Sequence, residues 1–93
     1  MSIAEAGTEL QQFLQETVER IVEQPDQVRI VLGRRNDCVM LDVSVAENDR
    51  GRVLGRNGQT VRSLRIILAS MALRRGIRCE LSVPANGDGG KAL

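Results

Sequence analysis

The chain has 93 residues, 42% of them hydrophobic, with a formal net charge of +1, two cysteines and no histidine. That length fits one domain, and the hydrophobic share fits a folded chain rather than a disordered one. The missing histidine excludes the common zinc spacings and imidazole acid–base chemistry, and with neither a C-x-x-C pair nor a sign of an oxidising compartment the two cysteines indicate no disulfide or redox role.

The opening stretch MSIAEAGTEL is acidic. It has neither the basic nor the apolar region of a secretory leader, and no apolar run reaches membrane-spanning length. A cytoplasmic location without membrane association is the expectation, with residues 1–7 an N-terminal extension. Leu10, Phe13, Leu14, Val18, Ile21 and Val22 then recur at helical spacing. The pattern predicts a helix over about 8–24, opened by a Thr8–Gln11 capping box and stopped before Pro25.

The period then changes to two. Val28, Ile30 and Leu32 alternate with Arg29 and Val31, the stretch GRRND reads as a turn, and CVMLDVSV follows. In that second strand Val39, Leu41, Val43 and Val45 share one face, and Cys38, Met40, Asp42 and Ser44 share the other. A hairpin turning at Gly33, Asn36 and Asp37 is predicted. A short helix over about 48–54 comes next, with Asn48 or Asp49 as its N-cap. Beyond the stretch GRNG, Val61, Leu64, Ile67, Leu68, Met71 and Ala72 mark a helix to about Arg75, with Gly76 at its C-terminal stop. The last strand, IRCELSV, places Ile77, Cys79, Leu81 and Val83 inward, and Pro84 closes it. Residues 85–93, ANGDGGKAL, are Gly-rich and lack periodicity, so a disordered tail is expected after a domain spanning 8–84.

Each strand has one apolar face, which calls for helices on a single side of the sheet. The long connection from the second strand to the third favours a crossover to a parallel neighbour. The predicted fold is therefore α+β, in two layers. A three-stranded mixed sheet has the 38–45 strand at its centre and helices on one face. Cys38 and Cys79 both fall in strands and read as reduced, structural thiols.

Charge is unevenly placed. Residues 1–49 carry four arginines and ten carboxylates, whereas residues 50–78 carry eight arginines and no acid. Such a split points to a polyanion-binding surface in the second half. Within it lies GRVLGRNGQT, residues 51–60. It lacks the Gly-Lys pair of a Walker A loop, and it follows a helix where a dinucleotide fingerprint needs a strand. What remains is a G-x-x-G turn, Gly55–Gly58, between two helices. Glycines let a sugar–phosphate backbone approach the main chain, and a helix start near Gln59 and Thr60 favours an anion. Arg56 is a forked phosphate donor, Asn57 a hydrogen-bonding one, and Arg50, Arg52, Arg62 and Arg65 lie close in sequence. Val53 and Leu54 before the loop, Val61 after it and Val45 on the strand are candidates for an apolar floor, with core packing an equal reading for the last two.

At this point DRGRVLGRNGQTVRSLRIIL resembles the signature of KH domains, whose G-x-x-G loop clamps the backbone of about four nucleotides. The element order resembles the type II, or prokaryotic, arrangement. Residues 10–84 together resemble the KhpA-like (YlqC) family of small bacterial single-KH-domain proteins. One departure stands out: the two variable loop positions are often both basic in that family, and here they are Arg56 and Asn57. The resemblance implies binding of single-stranded RNA without a cofactor, in a post-transcriptional regulator or RNA chaperone. It also implies pairing with a second copy or with a larger KH-containing protein of the Jag type. The absence of sheet aromatics agrees with a G-x-x-G clamp and not with RRM or OB modules, because the single aromatic, Phe13, lies on the first helix. Two other classes stay open. One is a protein assembly module with little direct RNA binding. The other is a small enzyme using Asp37, Asp42, Glu47 or Asp49, for which turn, strand and cap explanations already exist.

Overall fold

The structure is a computed structural model that describes residues 2–85. The expected tail lies outside the described residues apart from Ala85.

The first helix, α1, spans Ile3–Glu19. It starts earlier than the Thr8–Gln11 pattern predicts because Ser2 and Glu5 form the capping box. Ser2 Oγ accepts from the Glu5 amide at 3.2 Å, and Glu5 Oε1 accepts from the Ser2 amide at 2.9 Å. Thr8 sits inside the helix and donates its hydroxyl to the Ala4 carbonyl. Residues expected as an extension thus belong to α1, and Ala6 is buried.

The helix also ends earlier, at Glu19 and not at Gln24. The amides of Glu23 and Gln24 each donate, at 3.0 Å, to an oxygen of the Asp49 carboxylate. A carboxylate distant in sequence takes donors that a longer helix would direct at its own carbonyls. Pro25 opens a single 3₁₀ turn over Pro25–Gln27.

Strand β1, Arg29–Arg35, pairs antiparallel with β2, Cys38–Ser44, in a register that sets Ile30 opposite Val43 and Arg35 opposite Cys38. The predicted five-residue turn shrinks to Asn36-Asp37, with Asn36 at φ 56°. Asn tolerates that left-handed conformation, so Gly33 is free to stay in the ladder opposite Met40. After β2, a 3₁₀ turn at Glu47–Asp49 leads into the short helix α2, Arg50–Leu54. The long helix α3 spans Gln59–Arg74, and Gly76 at φ 74° ends it as expected. Strand β3, Arg78–Ser82, then pairs parallel with β2, setting Cys38 beside Arg78 and Leu41 beside Leu81.

The sheet order β1-β2-β3 puts the 38–44 strand at the centre, as predicted. Leu10, Leu14 and Val18 from α1, Val39, Leu41 and Val43 from β2, and Val61, Leu64 and Leu68 from α3 fill one core on the helix side. The opposite face carries the exposed Arg29, Val31, Asp42, Ser44, Glu80 and Ser82. Ile67, assigned to the apolar stripe of α3, is instead 44% exposed. Its stripe partner Met71 is half-buried and packs against the core.

Side chains from the helices also reach the outer strands. Gln11 and Gln15 donate to the carbonyls of Ile30 and Val28, while Arg65 donates to the carbonyl of Leu81. Arg75 grips Glu9 through two hydrogen bonds, at 3.0 and 2.9 Å, joining the ends of α3 and α1. That guanidinium holds the Glu9 carboxyl below its ordinary range. Both cysteines are free thiols. Burial, reinforced by Cys38 and Glu80, pushes the Cys79 thiol up to about 11, so it stays protonated at neutral pH.

Leu41 has no accessible surface at the middle of the central strand. Leu41→Ala should therefore cost about 2–5 kcal/mol, read as a lowered midpoint in urea unfolding with an unchanged slope.

Candidate nucleic-acid interface

The predicted loop joins α2 to α3. Gly55 ends α2 at φ 79°, and its amide donates to the Gly51 carbonyl at 2.8 Å. The Gly58 amide then donates back to the Gly55 carbonyl at 3.0 Å, closing a single turn over Arg56–Gly58. Gly58 stands at φ 74°, and between the glycines Asn57 stands at φ 55°, ψ 27°. Three of four consecutive residues therefore have left-handed φ. Asn reaches this region more readily than most non-glycine residues, basic ones included. The uncharged residue at this position thus has a backbone reason.

The glycines are occupied from inside the protein. A Cβ on Gly55 would collide with Thr60 Oγ1 and stand 2.6 Å from the Thr60 amide nitrogen. The first turn of α3 packs directly on Gly55, which fixes the angle between loop and helix. A Cβ on Gly58 would stand 3.1 Å from Arg62 Nη1, so the Arg62 guanidinium lies against the second glycine. No side chain caps the start of α3, and its first-turn amides face the loop side.

The arginines fall into groups. Arg56 and Arg62 are exposed and make no hydrogen bond or ion pair with the described residues. Arg50 donates to the carbonyls of Val83, at 2.8 Å, and Pro84, at 3.2 Å, and Arg65 to that of Leu81 at 3.2 Å. Carbonyl partners leave both charges intact. Arg52 differs, because Glu23 at 2.7 Å and Asp49 at 3.3 Å balance its charge.

Among the candidate apolar positions, Val53 has no accessible surface, and Val45 and Val61 are buried, so all three belong to the core. Leu54 is half-buried beside the loop, and Gln59, Thr60, Arg62, Ser63 and Ile66 line an open hollow along the start of α3. Ser63 and Ile66 carry no signal in the sequence as site residues, since Ser63 reads as filler and Ile66 falls outside the apolar stripe. The acids weighed as catalytic mostly have structural partners. Asp37 meets Arg78, Asp42 accepts from Ser82, and Asp49 is buried in the contacts above. Among the described residues no group of three His, Cys, Asp or Glu is placed to hold a metal ion, and no helix is long and apolar enough to cross a membrane.

A strand, a short helix, a G-x-x-G turn, a long helix and a parallel strand, preceded by a helix and an edge strand, make up a KH domain. The profile of the KhpA/KhpB KH domain matches residues 11–83, and the chain belongs to that family. It is 30% identical over 74 residues to a Chlamydia pneumoniae protein named RNA-binding protein KhpA, covering 80% of this chain and 95% of the relative. Proteins of the same name from Streptomyces coelicolor and Leifsonia xyli are 36% and 37% identical, covering 77% and 73% of this chain and 90% of each relative.

The two glycines of GRVLG should respond oppositely to alanine. Gly51 lies within α2, and a methyl group added there would meet open space, so Gly51→Ala should stabilise by about 0.5–1 kcal/mol. Gly55→Ala should instead destabilise by at least about 1–2 kcal/mol, through the left-handed φ and the displaced Thr60. Thermal melts of the two variants check the opposite signs.

Proposed function

We propose that the chain is a non-catalytic binder of single-stranded RNA. The sugar–phosphate backbone runs against Gly55-Arg56-Asn57-Gly58 and the first turn of α3, at Gln59 and Thr60. The observation that carries this reading is the pair of free guanidiniums, Arg56 and Arg62, flanking an uncapped helix start in a segment without any acid. Phosphate oxygens accept from arginine forks and from free helix amides in the same way. Arg50 and Arg65 add uncompensated positive charge nearby. Leu54 and the aliphatic surface of the hollow supply contact for bases without aromatic stacking. The family match, the type II order of elements and relatives named RNA-binding protein KhpA support the RNA-binding reading; that the chain acts as a post-transcriptional regulator or RNA chaperone in the cytoplasm is part of the proposal.

Arg56→Asp combined with Asn57→Asp tests the loop. The double variant should keep its circular dichroism spectrum and lose at least about tenfold in RNA affinity by gel shift. Undiminished binding by the folded variant would remove the loop from the site. For the parent chain, log K should fall with log salt by roughly 0.7 for each phosphate neutralised, or about 1.4 for Arg56 and Arg62 together.

A second reading concerns protein partners. Helix α3 exposes Ile66 at 67% and Leu73 at 77%, two turns apart on one side, with Ile67 at 44% about 100° round from Ile66. This face is suited to pairing with a second copy or with the KH domain of a larger Jag-type protein; Ile66 also lines the hollow beside the loop whereas Leu73 does not, so pairing centred on Leu73 leaves the loop free. Leu73→Asp should abolish a dimer seen by sedimentation without changing the fold, whereas an unchanged sedimentation coefficient for a dimeric variant excludes this face.

A further inference from the structure

Asp49 is the one buried charged or polar side chain among the described residues, with no accessible surface. A carboxylate costs free energy to bury unless its oxygens are matched by donors. Here the donors are specific. Oδ1 accepts from the Glu23 amide and Oδ2 from the Gln24 amide, each at 3.0 Å, and Arg52 Nε approaches Oδ1 at 3.3 Å. Arg52 also reaches back to Glu23 at 2.7 Å, and Gln24 Nε2 donates to Asn48 Oδ1 at 3.1 Å.

Apart from the Arg52–Asp49 contact, these join two short segments. One is the connector after α1. The other surrounds the start of α2, the five-residue helix whose end is Gly55. A helix that short has little stability of its own, because nucleation is costly. Its placement has to come from outside. Asp49 does not act as a side-chain cap for α2, since it makes no cap hydrogen bond there. Its oxygens are taken up by the amides of the connector.

We infer that Asp49 is a positioning residue for the Gly55–Gly58 loop: by capturing the Glu23 and Gln24 amides it pins the start of α2, and through α2 it sets where the loop stands against α3. The inference rests on the RNA-binding reading only for its consequence in binding, not for its structural content.

Asp49→Asn keeps the shape and removes one negative charge. Charge alone then predicts tighter binding of a polyanion, because a carboxylate near the loop is gone. Positioning predicts the reverse, because one oxygen facing an amide becomes an NH2 group. The expected result is an affinity about tenfold weaker or more for a fluorescein-labelled, random-sequence single-stranded RNA oligonucleotide, measured where the variant is fully folded. Amide exchange supplies a readout that a general loss of stability would not produce. Gly55 and Gly58 amides should exchange about tenfold faster, while Leu41, Leu64 and Leu68 amides keep their protection. Equal or tighter RNA binding by the folded variant, or a uniform rise in exchange across all five amides, would overturn the inference.

Should the variant fail to fold, exchange of the unaltered chain in low denaturant decides. Glu23, Gln24, Gly55 and Gly58 should open in one event with a common denaturant dependence, and separate events would overturn the inference. If the unaltered chain binds no RNA yet these amides open together, the RNA reading fails and the positioning role stands.

Discussion

The parallel pairing of β2 with β3 is the constraint from which the other features follow. Strand β3 starts beside the start of β2, so the chain leaving Ser44 must travel back along the sheet before Arg78. A seven-residue strand spans roughly 23 Å and a sixteen-residue helix about 24 Å. Helix α3 therefore makes the return by itself. Everything else in the connection, α2 and the glycine loop included, is left at the end of the sheet where β2 finishes. The loop is remote from the Asn36-Asp37 turn for the same reason. The crossover also brings α2 and α3 onto the face already covered by α1, so that one core serves all three helices.

Within that frame, sequence patterns of short range are legible and those of long range are not. Alternation locates both hairpin strands and the face of β2 that is buried, because a strand's side chains alternate whatever lies around it. Gly76 marks the end of α3, since its positive φ is a local need. The early end of α1 is hidden, because nothing between Glu19 and Gln24 reveals that a carboxylate 25 or 26 residues on will take two amides. Ile67 fits the helical period of the core yet lies on the rim, because the sheet beneath α3 is only three strands wide. The start of α1 is a choice between two local patterns. Ser2 and Glu5 form as good a capping box as Thr8 and Gln11, and the structure uses the first.

The candidate site shows the same division. Its position and its basic character can be read from G-x-x-G and the run without acids. How its arginines divide cannot, because that depends on which backbone carbonyls and carboxylates come within reach after folding. Arg52 is paired with Glu23 and Asp49, Arg50 and Arg65 are moored on β3 and the residues after it, and Arg56 and Arg62 are left facing solvent. A row of like charges in sequence is thus a graded set in space. The two fixed arginines supply a steady field, and the two free ones can reorient toward whatever approaches. Asn57 belongs to this account as well, since a residue that fits φ 55° without strain leaves the loop already in shape before any ligand arrives.

A three-stranded sheet has two outer strands, and unpaired strand edges invite pairing with another chain. Here Gln11 and Gln15 occupy carbonyls of Ile30 and Val28 on one side, while Arg65 and Arg50 occupy those of Leu81, Val83 and Pro84 on the other. Side chains borrowed from the helices thus occupy one carbonyl within each outer strand and others just beyond the strand ends. A partner strand approaching either margin would have to displace these side chains before it could pair there.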